Sequence, residues 1–210
     1  DYLEGFSEGL AKIHVGKKWG FVDKTGNFAI EAKFDYVEPF SKGMAAFEKK
    51  VNGPKRNGKW GYINKRGLVV IPAIYAMAGG FSEGLAPVSI TSYKKSRFDY
   101  IDRTGRAVIK TKFNLAKPFS EGLARVAVTD WGPKPESMWG YIDKQGRTIV
   151  EPKFDSVGDF HDGIAWVDVS ENRCKYNYID KSGKFLFKPK QGTFAESVAA
   201  SSRGKTNGAD

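Results

Sequence analysis

The sequence predicts an all-β fold built from about five repeats of roughly 40 residues, each a three-stranded antiparallel meander. Three observations predict it. A phrase of aromatic, Gly, aromatic, aliphatic and polar turn residue appears as Trp19-Gly20-Phe21-Val22-Asp23, Trp60-Gly61-Tyr62-Ile63-Asn64 and Trp139-Gly140-Tyr141-Ile142-Asp143. Altered copies stand at Phe98-Asp99-Tyr100-Ile101-Asp102 and Tyr176-Asn177-Tyr178-Ile179-Asp180. A second phrase, Phe6-Ser7-Glu8-Gly9, returns in phase at Phe40, Phe81, Phe119 and Phe160, with a decayed copy at Phe194. Aromatic residues make up 14% of the chain and Gly is frequent, a composition suited to twisted sheet with tight turns.

Each element of the unit follows from residue chemistry. The Phe of the Phe-Ser-x-Gly phrase is an apolar anchor, its Ser or Asp can hydrogen-bond nearby backbone, and its Gly permits positive φ in a tight turn. A short strand follows. Ala86, Val88 and Ile90 alternate on one face, as do Ala124, Val126 and Val128, while Lys12, Pro87, Arg125 and Trp166 occupy the other. That alternation predicts one buried side. After a variable loop, the Trp-Gly strand runs into Asp23-Lys24-Thr25-Gly26, Asp143-Lys144-Gln145-Gly146 or Asp180-Lys181-Ser182-Gly183. These segments predict a type I turn with a left-handed Gly. The Gly of Trp-Gly predicts a close approach by a neighbouring chain segment. A third strand, such as Leu68–Ile71 or Thr148–Val150, is expected to end at a proline link such as Glu151-Pro152. A short fourth strand over Phe34–Val37 is compatible with the pattern.

The units form one domain over residues 1–196, followed by a small, polar segment over 197–210 read as a disordered tail. The favoured arrangement is a propeller-like toroid, with an open twisted β-solenoid as the alternative. The two recurring phrases resemble those of the bacterial WG-repeat (KWG) family, from residue 6 to about residue 196. Phe98-Asp99 and Tyr176-Asn177 depart from the motif, so packing in those units is expected to differ. The resemblance implies a bacterial all-β repeat protein, often found near the cell envelope, with no common enzymatic activity and no catalytic residues to carry over. It favours the periplasm or cell surface over the cytoplasm.

No apolar run reaches the roughly 20 residues of a membrane helix, and the first residues lack the features of a signal peptide. Cys174 is the sole cysteine, which excludes an internal disulfide and a thiolate metal cluster. His14 and His161 fall at different motif positions without convergent ligands, so neither metal nor cofactor is expected. The recurrent Ser7, Ser41, Ser82 and Ser120 and the recurrent Glu8, Glu83 and Glu121 are read as turn residues. No triad partner or non-equivalent carboxylate pair accompanies them.

Charge carries the functional expectation. The net charge of +10 resides in the loops between the first strand and the Trp-Gly strand. Residues 16–18 contribute +2, 49–59 contribute +5, 91–97 contribute +3, 129–138 contribute −1 and 170–175 contribute +1, and the remainder cancels. Equivalent loops of stacked repeats share one edge, so Lys49, Lys50, Lys55, Arg56, Lys59, Lys94, Lys95 and Arg97 are expected on one positive rim. Trp131, in a Gly-Pro-rich loop, and Trp166, on the outward strand face, have no counterparts in other units and are candidate partner anchors. Trp19, Trp60 and Trp139 repeat at unit spacing and are read as packing residues. The expected function is that of a monomeric, non-catalytic scaffold presenting basic loops to an acidic protein or an anionic envelope polymer, with toxin neutralisation as one version. Nucleic-acid binding through the rim and action on a polysaccharide are the alternatives.

Overall fold

Turn chemistry fixes where the strands end. In the computed structural model, which describes residues 2–50, 58–91, 96–130, 136–168 and 176–187, Glu8, Lys42, Glu83, Glu121 and Asp162 lie at φ near +50°, each followed by a Gly at positive φ. Two successive left-handed residues make the tight hairpin whose twist matches its flanking strands. At the other hairpin, the Asp23 carboxylate accepts from the Thr25 N–H at 2.8 Å, the Thr25 hydroxyl at 2.6 Å and the Asn27 N–H at 3.1 Å. Asp102 and Asp180 repeat the pattern.

Between these turns the described residues form strands and no helix. The first sheet holds β1 (Tyr2–Ser7), β2 (Leu10–Val15), β3 (Lys18–Val22) and β4 (Phe28–Phe34). The second holds β5 (Tyr36–Val37), β6 (Met44–Lys49), β7 (Lys59–Asn64) and β8 (Val69–Tyr75). The third holds β9 (Met77–Ala78), β10 (Ala86–Ser89), β11 (Asp99–Ile101) and β12 (Ala107–Lys110). The fourth holds β13 (Leu115–Ser120), β14 (Leu123–Asp130), β15 (Glu136–Asp143) and β16 (Thr148–Phe154). The fifth pairs β17 (Ile164–Asp168) with β18 (Tyr176–Asp180). All pairings are antiparallel and follow chain order. Four of the sheets thus add to the predicted three-stranded meander the short fourth strand that the sequence allowed over Phe34–Val37, because the link before the tight turn pairs as an outer strand, as β5 and β9 do.

Proline does not end the third strand. Pro72 and Pro152 lie inside β8 and β16, in a bulge on the sheet edge where no ladder donor is required. Trp60 pairs with Tyr75 and Tyr62 with Ile71, so the edge strand spends extra residues between them. The Gly of the Trp-Gly phrase makes room for that bulge. A Cβ on Gly140 would lie 2.2 Å from the Val150 carbonyl oxygen, and one on Gly61 2.5 Å from that of Ile71. Where Asp99 replaces Gly, it pairs with Lys110 before the bulge, and the spacing is kept: Tyr100 pairs with Ile109 and the Phe98 N–H donates to the Phe113 carbonyl at 3.1 Å. Thr111 then closes the strand end through its N–H to Asp99 and its hydroxyl to the Phe98 carbonyl.

The predicted single buried side becomes two. Each core lies between neighbouring sheets, and the inner sheets bury both faces. Tyr62, Ile71 and Tyr75 of the second sheet meet Phe81, Ala86, Val88 and Ile101 of the third. Tyr100, Ile109 and Phe113 meet Phe119, Ala124, Val126 and Ile142, and Tyr141, Val150 and Phe154 meet Phe160, Ala165, Val167 and Ile179. Phe21, Ile30 and Phe34 meet Phe40, Ala45, Phe47 and Ile63 at the first joint. Every residue of β10, Pro87 included, is buried. The alternation stops short, however: Ile90 and Val128 are exposed where the strands leave the stack.

The buried tyrosines also tie the sheets with hydrogen bonds. The Tyr62 hydroxyl donates to the Gly79 carbonyl at 2.7 Å, Tyr100 to Lys117 at 2.8 Å and Tyr141 to Gly158 at 2.7 Å. Burial pushes all three hydroxyls above their ordinary pKa. The succession of blade-like sheets is propeller-like, and the run is open: among the described residues the buried cores join each sheet to the next in chain order, and none joins the first to the fifth. Phe6, one face of the first sheet, is 51% exposed, whereas its counterparts Phe40, Phe81, Phe119 and Phe160 are 2% exposed or less. No helix among the described residues is long and apolar enough to cross a membrane.

These carboxylates set an acid limit. The hydroxyls of Thr25, Thr104 and Ser182 are the leading cause that holds Asp23, Asp102 and Asp180 below the usual carboxylate range. A carboxyl depressed by folding adds stability above its unfolded pKa, near 4, and loses it as pH falls through the folded value. Stability should be level from pH 7 to about 5 and fall below about 4. Urea unfolding at pH 7, 4 and 3 measures this, and an unchanged midpoint at pH 3 contradicts it. Asn64 makes the same backbone bonds without charge, so replacing the three aspartates by Asn should flatten the acid limb.

Candidate binding rim

Meander topology puts the strand ends that flank the β2–β3, β6–β7, β10–β11, β14–β15 and β17–β18 connections at one edge, opposite both kinds of tight turn. Of the predicted site residues, Lys55, Arg56, Lys94, Lys95 and Trp131 lie outside the described residues, as do Cys174 and the segment 197–210. Lys49, Lys50 and Arg97 are exposed at this edge and Lys59 is half-buried. Among the described residues, the side chains of these four and of Lys17 form no ion pair.

The rim is not uniformly positive. Lys18 pairs with Asp35 at 2.7 Å, and the Lys50 N–H donates to the other Asp35 oxygen at 2.8 Å. These two contacts, Lys18 first, hold the Asp35 carboxyl below its ordinary pKa. Asp35 thereby fastens the β6–β7 loop of the second unit to the β2–β3 turn of the first. Between them opens a cleft of about 410 Å³ lined by His14, Lys17, Trp19, Asp35, Tyr36, Glu48 and Lys50. A second cleft of about 510 Å³ lies between the third and fourth units, with Lys112, Phe113, Met138 and the carboxylates Asp130, Glu136 and Glu151 on its walls. The first cleft is aromatic with mixed charge, Lys17 and Lys50 beside Asp35 and Glu48, and the second is acidic.

An aromatic row backs the first cleft. His14 lies 4.8 Å from Trp19, Trp19 lies 5.4 Å from Tyr36, and Tyr36 lies 5.9 Å from Trp60. Trp19, Trp60 and Trp139 also pack against the inter-sheet cores, as their spacing predicts. Lys12, assigned by alternation to an outward face, is instead 2% exposed. Its ammonium meets Glu4 at 3.0 Å and lies 5.0 Å from the Trp19 ring centre and 4.7 Å from that of Tyr36. Burial alone would lower its pKa; Glu4 and Tyr36 outweigh that and raise it. A lysine amid period-two apolar residues gives no sign of this, since its acid partner is on another strand.

Trp166 stands apart from the lysines. It lies on the open face of the fifth sheet, 36% exposed, edge-on to Tyr176 at 5.6 Å and covering Gly158. Sequence reasoning also missed the role of the turn glutamates. Glu8 accepts from the Gly43 N–H at 2.9 Å and meets Lys65 at 3.2 Å; Glu83 accepts from Gly122 and meets Lys144; Glu121 accepts from Asp162 and Gly163 and meets Lys181. Each is a clamp from one sheet to the next. The signal was a Glu recurring at a left-handed position where Asn or Gly would be favoured.

The fold and its rim define a stacked β-repeat array with variable loops at one edge. Residues 19–50, 60–92, 100–129 and 139–171 match the family described as WG containing repeat, and the chain belongs to that family. Each matched segment runs from a Trp-Gly strand, or its counterpart β11, into the next sheet, through β6, β10, β14 or β17, so the sequence repeat coincides with an inter-sheet core. No curated protein matches the chain. Among solved structures it is similar to the crystal structure of the tricorn protease, at 12% identity and a TM-score of 0.51, over 85% of this chain and 20% of that one. That likeness concerns the fold alone.

Proposed function

We propose that this protein is a non-catalytic binding scaffold whose loop edge receives an anionic partner, an acidic protein surface or a charged envelope polymer. The observation that carries this reading is the cleft between the first two units, where the aromatic faces of Trp19 and Tyr36 stand beside the exposed cations Lys17 and Lys50. Aromatic faces supply rigid contact area and the lysines supply long-range attraction. The recurrent serines and glutamates of the turns serve the fold: Ser7 donates to the Phe40 carbonyl at 2.7 Å, Ser120 to that of Phe160 at 2.8 Å, and the turn glutamates clamp the sheets.

Reversing Lys17, Lys49, Lys50 and Lys59 to Glu should weaken binding to poly-L-glutamate at least about tenfold at 50 mM salt and lower its salt dependence. Equal affinity for wild type and variant would remove the reading. A mixed-sequence single-stranded DNA run in parallel tests the other anion class, and tighter binding to DNA than to poly-glutamate would replace the proposal with nucleic-acid binding.

A further inference from the structure

We infer that the edge opposite the loop rim holds a carboxylate-binding site at the joint between the second and third units. At three joints a turn glutamate occupies one seat: its carboxylate accepts from the backbone N–H of the next unit's turn Gly and meets the basic residue of the next unit's hairpin. The distances are 2.9 and 3.2 Å for Glu8, 3.1 and 2.8 Å for Glu83, and 2.9 and 3.1 Å for Glu121.

At the remaining joint, Lys42 stands in the glutamate's place with the same left-handed backbone, φ 51°. The joint is otherwise built alike. The Ser41 hydroxyl donates to the Phe81 carbonyl at 2.7 Å, as Ser7 does to Phe40. Arg103 takes the hairpin lysine's position and reaches back to the Lys42-Gly43 turn, where a Cβ on Gly43 would lie 3.1 Å from its Nη2. The Gly84 N–H corresponds to the Gly43, Gly122 and Gly163 donors, and Gly84, Lys42 and Arg103 are all exposed. Three donors with two positive charges thus surround the seat that a carboxylate fills at the sibling joints. The glutamates of the flanking turns are committed, Glu8 to Gly43 and Lys65 and Glu83 to Gly122 and Lys144, and Asp102 accepts within its own hairpin. A carboxylate from outside the chain is the complementary ligand. The Arg103 fork can take two oxygens, and the site lies at the opposite edge from the loops, so it stands or falls separately from the function proposed above.

The test is a titration of glycine-labelled protein by NMR with two probes, sodium acetate and a blocked tri-glutamate peptide. The Gly84 amide should shift saturably, while Gly43, Gly122 and Gly163, already holding their own glutamates, should not. Tighter binding of the peptide assigns a partner's acidic side chain; equal or tighter binding of acetate assigns a small free carboxylate. Lys42→Glu supplies an internal occupant, so it should abolish the saturable Gly84 response and raise Tm by about 2–4 °C. Arg103→Gln should weaken binding at least about fivefold, and it keeps the test open if Lys42→Glu misfolds. A Gly84 response no larger than that of Gly122 and Gly163, or one that survives Arg103→Gln unchanged, overturns the inference.

Discussion

Phe81→Ala is expected to lower stability by about 3–5 kcal/mol, while Phe6→Ala at the same motif position changes it by less than about 0.5 kcal/mol. The two residues share a phrase and differ in burial, 1% exposed against 51%. Phe81 packs edge-on to Tyr62 at 4.9 Å, in the core that the second and third sheets share. Truncation leaves a ring-sized cavity there, and this joint is also the one without a glutamate clamp. In a linear array each joint contributes its own coupling. Calorimetry of Phe81→Ala should therefore resolve two transitions, one for the first two units and one for the rest. A single transition with an unchanged midpoint would show that the repeats are not held by shared cores.

Gly140→Ala should cost about 2–3 kcal/mol although it adds one methyl group. The new Cβ would meet the Val150 carbonyl at 2.2 Å and the Pro152 nitrogen at 2.7 Å, and both are backbone atoms that cannot swing aside. Relief requires moving the bulge, and with it Phe154, which packs on the fifth sheet's Phe160 and Val167. Gly5→Ala is the control. Nothing lies within 4 Å of its added Cβ, so stability should stay within about 0.5 kcal/mol of wild type. Urea denaturation of both variants decides the matter, and equal midpoints would exclude a steric role for the Trp-Gly glycine.

Much of this architecture was legible in the sequence because the same local problem is solved repeatedly. The Asp-Lys-x-Gly turns, the Phe anchors and the tight glycine all follow from residue identities a few positions apart. What alternation concealed was burial on both faces: Pro87 and Lys12 read as outward residues because a strand covered on both sides shows no polar phase. The proline bulge was misread for a related reason, since Pro152 interrupts pairing locally and the strand resumes beyond it. The clamps were hidden by distance, Glu8 from Gly43 by 35 positions and Glu121 from Asp162 by 41. For the loop rim, the chain announced its charge but not its neutralisation, because Asp35, on the β4–β5 link, meets Lys18 from 17 positions away.

Because every core straddles two consecutive sheets, the natural cassette of this protein begins at one Trp-Gly strand, or its Phe98 or Tyr176 counterpart, and ends just before the next. Cutting there removes one complete interface and splices two compatible surfaces, whereas cutting between sheets would strand half a core on either side. Copy number can thus drift by whole cassettes, each duplication lengthening the molecule without any compensating change in its interior.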